Sequence, residues 1–218
     1  VGAVGVRNAL EIARRCQARF LQASTSEVYG EPLVHPQNEM YRGNVSCTGP
    51  RSMYDESKRF SEALITAYRQ QYGVSTAIAR IFNTYGPYMR PDDGRVITNF
   101  LSQIINSKPL TIYGDGRQTR SFCFVDDTVE GLLSLLFSQE SGPINIGNPG
   151  EFTMLELAET IGQVCGQKPQ LTYKPLPGDD PTRRCPDISA AKKLLGWSPK
   201  IALHEGLAKT YHWLKEQL

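Results

Sequence analysis

Arg19-Phe20-Leu21-Gln22-Ala23-Ser24 and, further on, Ser75-Thr76-Ala77-Ile78-Ala79-Arg80-Ile81-Phe82 are short apolar runs of the kind that become buried strands. Between them, residues 52–72 carry apolar positions at helical spacing, with Ala63, Leu64, Ala67 and Tyr68 expected on one face. Two strands separated by one long helix cannot form a hairpin. They pair in parallel, as a βαβ unit. Upstream, Val4, Ala9, Leu10, Ile12 and Ala13 give a second helical stripe across residues 3–16. The predicted fold class is therefore α/β, with part of a doubly wound parallel sheet.

After Pro87 the rhythm changes. The pattern predicts a helix over residues 95–107, a strand over 110–113 and a strand over 121–125. Asp126 or Asp127 then caps a helix carrying Val129, Leu132, Leu133, Leu136 and Phe137. A short strand follows at 144–146. Thr153 and Glu156 have capping-box spacing and open a helix to about residue 164. A strand at 171–174, a proline- and charge-rich loop over 175–186, and helices near 189–195 and 203–216 complete the chain. The expected division is residues 1–86 as one unit and 87–218 as a smaller mixed α/β unit, with some segments returning to the sheet.

Of the 218 residues, 24 are basic and 22 acidic, for a net charge of +2. That balance gives no electrostatic case for a nucleic-acid or membrane-surface partner. No apolar run approaches the roughly 20 residues that span a bilayer. Five cysteines at wide spacings and three scattered histidines suggest neither disulfides nor a metal site, and favour a cytoplasmic, reducing compartment.

Tyr54-x-x-x-Lys58 is the first candidate for chemistry. Residues i and i+4 share a helix face, and an ammonium beside a phenol favours the phenolate, a usable base. Tyr211-x-x-x-Lys215 has the same spacing, so context must separate the two. Only Tyr54 follows a strand ending in Ser24-Thr25-Ser26-Glu27-Val28-Tyr29-Gly30. In a parallel sheet such strand ends face the ligand crevice. There Thr25 offers a hydroxyl donor, and Glu27 an acid, a base or an electrostatic partner.

These blocks resemble the extended short-chain dehydrogenases that act on nucleotide sugars, the NAD-dependent epimerases and dehydratases. Tyr54-Asp55-Glu56-Ser57-Lys58-Arg59 fits the pattern, as do Arg80-Ile81-Phe82-Asn83-Thr84-Tyr85-Gly86-Pro87, Tyr113-Gly114-Asp115-Gly116 and Gln118-Thr119-Arg120-Ser121-Phe122. Asp126-Asp127 and Leu195-Gly196-Trp197-Ser198-Pro199 complete it in family order. The resemblance implies a Rossmann-type NAD-binding unit over 1–86 and a nucleotide-sugar unit over 87–218. Within the family the pattern is most similar to the branch that decarboxylates UDP-glucuronate. Its strand end reads Thr-Ser-Glu, where 4,6-dehydratases carry Thr-Asp-Glu, and the segment Gly49–Glu56 has the decarboxylase form.

The resemblance also assigns roles. Tyr54 is the base, Lys58 its partner, Thr25 the donor to the sugar O4, and Glu27 positions the ring or a water for reprotonation at C5. Ala23, Tyr54, Lys58, Thr84 and Arg95 fall on the NAD side. Asn8, Arg15, Glu27, Asn83, Tyr113, Gln118, Arg120 and Arg184 fall on the UDP-sugar side, with Arg184 preferred to Arg183. A homodimer through the opening helix and the Tyr54 helix is expected. A 4,6-dehydratase, a 4-epimerase, or a chain that only binds nucleotide sugar or dimerises are the alternatives. No G-x-x-G-x-x-G follows a strand. The chain opens on Val1, inside a helix, so the expectation is that the pyrophosphate turn precedes it and that residues 1–218 alone bind NAD weakly.

Overall fold

The computed structural model describes residues 2–176 and 183–218. Helix α1 (Gly2–Cys16) leads into β1 (Phe20–Thr25), and a single 3-10 turn (Ser26–Tyr29) follows at once. Helix α2 (Ser52–Tyr72), β2 (Thr76–Ile81) and β3 (Thr84–Tyr85) complete the first stretch. Then come α3 (Val96–Ile105), β4 (Leu110–Tyr113), β5 (Thr119–Ser121), β6 (Cys123–Phe124) and α4 (Val125–Phe137). The chain closes with β7 (Pro143–Ile146), β8 (Glu151–Thr153), α5 (Met154–Cys165), β9 (Leu171–Lys174), β10 (Arg183–Arg184), α6 (Ser189–Leu195) and α7 (Leu203–Lys215). The middle of the loop expected over 175–186 lies outside the described residues.

β1, β2 and β7 form one parallel sheet in that order, with Ala23 beside Ala79 and Ala79 beside Ile144. β2 is buried from Thr76 to Ala79 on both faces, as a central parallel strand must be. Helices α1 and α2 cover one face through Leu10, Ala13, Ile65, Tyr68 and Ile78. The opposite face is packed by α4 and α6 around Leu135, Ile146, Ala191 and Trp197. Gly131 lets α4 approach closely, since a Cβ there would sit 2.9 Å from the Trp197 ring. A larger apolar cluster joins α3, α5 and α7 around Phe100, Leu101, Leu157 and Leu207.

Three expectations are corrected. The buried stripe of α2 runs through Ser61, Ile65 and Tyr68, with Asp55 nearly two turns earlier, and Ala63 is exposed. The helix is rotated because it meets α1 and the sheet together. The strand expected over 121–125 is instead two, β5 and β6, which pair with different partners, and α4 begins directly at Val125. Neither aspartate caps α4, whose N-cap is Phe124 with no side-chain cap bond. Asp127 turns away to accept the backbone N–H groups of Lys200 and Ile201 at 3.0 and 2.9 Å. The Thr153–Glu156 capping box is present. No helix among the described residues is long and apolar enough to cross a membrane.

Candidate active site

β1 and β2 run in parallel, so their carboxyl ends open on one side. A cleft of about 920 Å³ lies there. Its floor is Ala23, Ser24 and Thr25. Thr25 Oγ1 accepts the Glu27 N–H at 3.2 Å, which caps the 3-10 turn and leaves the hydroxyl proton to donate elsewhere. Gly30 ends that turn at φ +62°, and a Cβ there would lie 1.9 Å from the Asn44 carbonyl oxygen. Glycine is therefore required to fold the strand end back under the cleft.

Helix α2 supplies the facing wall. Tyr54 is 49% exposed and lines the cleft. Lys58 Nζ donates to the Ala23 carbonyl at 2.8 Å and lies 5.7 Å from the centre of the Tyr54 ring. Burial lowers the Lys58 ammonium from its ordinary range. The other pair has nearly the same local geometry, with Lys215 Nζ 5.9 Å from the Tyr211 ring. Tyr211 packs against the α3–α5–α7 cluster. Surroundings, not spacing, distinguish the two pairs.

Glu27 joins two arginines. Its Oε1 pairs with Arg184 Nη1, and its Oε2 with Arg51 Nη2 at 2.8 Å. Arg184 is only 3% exposed and also donates to the Gly30 carbonyl at 3.2 Å. Burial pulls its guanidinium downward and the Glu27 carboxylate pushes it back up. Arg183 faces outward on the same strand, so strand alternation separates the neighbours.

Of the residues expected at the site, Ala23, Thr25, Glu27, Tyr54, Lys58, Asn83, Thr84, Arg95, Tyr113, Gln118, Arg120 and Arg184 all line this cleft. Asn83 donates to the Ser121 carbonyl and Gln118 to the Tyr113 carbonyl, at 3.2 and 2.7 Å. The Thr84 hydroxyl is engaged with Thr128 at 3.0 Å. Asn8 and Arg15 are the exceptions. Both sit exposed on α1, which packs behind α2, and neither lines the cleft. Arg51, Asn99, Gln103 and Lys174 line it without having been singled out. Arg51 stood inside the quoted Gly49–Glu56 block. Lys174 reaches the cleft because β9 pairs with β4 in a register that sets it beside Tyr113, a long-range pairing that no local pattern reveals.

A family model described as GDP-mannose 4,6 dehydratase matches residues 1–210. The chain belongs to this family. The matched stretch contains every family block quoted above. The chain is 56% identical over 206 residues to UDP-glucuronic acid decarboxylase 1 of Arabidopsis thaliana, covering 94% of this chain and 47% of that protein. It is 49% identical over 215 residues to UDP-glucuronic acid decarboxylase 1 of Xenopus tropicalis, covering 99% and 51%. The chain thus spans about half the length of these curated relatives. UDP-glucuronic acid 4-epimerase from Bacillus cereus, solved with UDP-glucuronic acid and NAD, superposes with a TM-score of 0.90 at 29% identity. That superposition takes in 100% of this chain and 68% of the other. Family members therefore share the parallel-sheet scaffold on which the cleft is built.

Proposed function

We propose that the protein carrying this chain converts UDP-glucuronate to UDP-xylose and CO2, as an NAD-dependent carboxy-lyase. One observation carries the reading. Tyr54 and Lys58 face Thr25 across a cleft that also holds Glu27 between two arginines, on a chain whose relatives are UDP-glucuronic acid decarboxylases.

The cofactor fits the residues present. Ala23, Tyr54, Lys58, Thr84 and Arg95 line the same cleft, and Lys58 is already anchored to the end of β1, so these residues would hold the nicotinamide side of the cofactor. NAD, when bound, supplies reversible hydride acceptance at the sugar C4. Tyr54 accepts the O4 proton while Lys58 stabilises the phenolate. The Thr25 hydroxyl donates to O4 as it becomes a carbonyl. A 4-ketone is β to the C6 carboxylate, so CO2 leaves and charge collects on an enolate. The neighbouring cationic groups stabilise that charge in a partly desolvated site. Tyr54 then returns its proton to O4.

Arg120, Asn83, Gln118 and Tyr113 suit the UDP end, since a guanidinium fork pairs two oxygens of a diphosphate. We assign NAD contacts chiefly to residues 1–86 and UDP-sugar contacts chiefly to 87–218. A homodimer through α1 and α2 belongs to the same reading, supported by Val4, Ile12, Met53 and Phe60, which those helices leave exposed. Five unpaired cysteines support a cytoplasmic compartment.

A second reading, 4-epimerase, is favoured by the Bacillus cereus neighbour. Product analysis separates them. With UDP-glucuronate we expect CO2 and a UDP-pentose. Ser26 has no carboxyl to help expel water, so dTDP-glucose should give no 4-keto-6-deoxy product. UDP-galacturonate without CO2 would establish the epimerase instead.

A further inference from the structure

The decarboxylase reading, on which this inference rests, leaves open the route by which one proton arrives. When CO2 departs, the C5–C6 bonding pair stays behind as a C4–C5 enolate. A new C5–H bond must then form with a proton that enters from solvent. The proton on Tyr54 came from O4 and returns to O4, so it is not that proton. A UDP-sugar in the cleft would occupy the space beside Glu27 on that side.

A second opening lies behind Glu27. It is a cavity of about 320 Å³, roomy enough for several waters. Glu27, Arg51 and Arg184 line both this cavity and the cleft, so their ion-pair cluster is the wall between the two. Glu31, Asn44 and Ser46 line the cavity and are exposed, which sets its outer end at solvent. Asp55 lines it too and is only 6% exposed. Its Oδ1 is buried with no hydrogen-bond partner. A buried carboxyl oxygen without a hydrogen-bond partner, on a side chain that lines a polar cavity, calls for water or a proton. Burial first, and the Glu27 charge second, raise Asp55 above the usual aspartate range. Arg51 and Arg184 oppose the rise and Glu56 adds to it. Asp55 directly follows Tyr54 on α2, yet it lines the cavity whereas Tyr54 lines the cleft.

We propose that this cavity is the proton inlet of the reaction, and that Asp55 is the positioning residue that passes solvent protons, through water held there, to Glu27 and so to C5.

The test uses the NAD-loaded holoenzyme with UDP-glucuronate. Asp55→Asn keeps the shape and removes the exchangeable acid proton. The expected result is a loss in kcat on the order of tenfold or more, with KM unchanged. The first-turnover burst of CO2 and of reduced-cofactor absorbance should be retained, and the reduced-cofactor absorbance should persist, since hydride cannot return to C4 until the decarboxylated enolate is protonated at C5. The solvent deuterium effect on kcat should rise, because C5 protonation has become limiting. Ser46→Trp obstructs the outer end from an exposed position, and should reproduce the pattern even if Asp55→Asn fails to fold. A burst that falls in step with kcat would assign Asp55 a structural role and overturn the inlet. So would wild-type kcat in a folded Asp55→Asn enzyme. A wild type that releases no CO2 overturns the decarboxylase reading itself, and the inlet with it.

Discussion

Replacing Asp127 by alanine should loosen the joint between α4 and the α6–α7 connection. Asp127 is 3% exposed and its two oxygens accept the backbone N–H groups of Lys200 and Ile201 at 3.0 and 2.9 Å. A hydrogen bond to a charged group contributes about 1.5–3 kcal/mol. Lys200 is exposed, so water recovers part of its share. The expected loss for Asp127→Ala is therefore about 3 kcal/mol. Asp127→Asn keeps one acceptor and should lose roughly half of that. For a chain of this size, about 3 kcal/mol lowers Tm by roughly 6–12 °C. Asp126 provides the control. It sits in the same first turn with the same charge but is exposed, so Asp126→Ala reports only the helix-dipole contribution, about 0.3–1 kcal/mol. Urea titration followed by tryptophan fluorescence is the assay, with midpoints compared at constant slope. Trp197 stays a valid probe, because its Nε1 donates to the Asp127 backbone carbonyl, which every variant keeps. Equal losses at positions 126 and 127 would refute the reasoning, as would a loss below about 0.5 kcal/mol for Asp127→Ala.

Two further outcomes are expected. In the holoenzyme, Tyr54→Phe should lower kcat by roughly a hundredfold or more while UDP affinity, measured by calorimetry, is nearly unchanged; retention of more than a few per cent of activity would remove Tyr54 as the base. Burial pushes the Cys123 thiol up to about 12, and Cys165 and Cys185 to about 11, whereas Cys16 and Cys47 are exposed. Ellman titration of native protein at pH 8 should accordingly register two fast thiols, and a third fast thiol would contradict the cover given to Cys165, the least buried of the other three.

Local patterns carried the helices well, because α2, α3 and α5 have caps or long apolar stripes that declare their period. Strands β1, β2, β4 and β9 were legible for the same reason. The short strands β3, β8 and β10 were not. Each has two or three residues and owes its existence to a partner far along the chain, as β10 does to β5. The site divides similarly. Tyr54, Lys58, Thr25 and Glu27 lie in contiguous blocks that resemble a family pattern, and they meet at one cleft. Asn8 and Arg15 share a helix with no view of it. Arg51 and Asp55 gain their meaning only when Arg184, more than a hundred residues away, is folded against Glu27.

The placement of β7 has a consequence for the order in which the molecule can assemble. The strand that completes the sheet beside β2 is residues 143–146, so nothing translated before them can finish that sheet. Asn145 ties the arrangement together. It is wholly buried, accepts the Tyr29 hydroxyl at 2.8 Å, and donates to the carbonyls of Gln37 and Asp187 at 3.0 Å each. A ribosome must therefore deliver residue 145 before the Tyr29 hydroxyl and the Gln37 carbonyl find this partner, although the buried cluster between α1, α2 and β2 lies wholly within residues 10–78. Arg184 comes later in the chain still, so Glu27 gains its buried partner only after β7 is available to pair with β2.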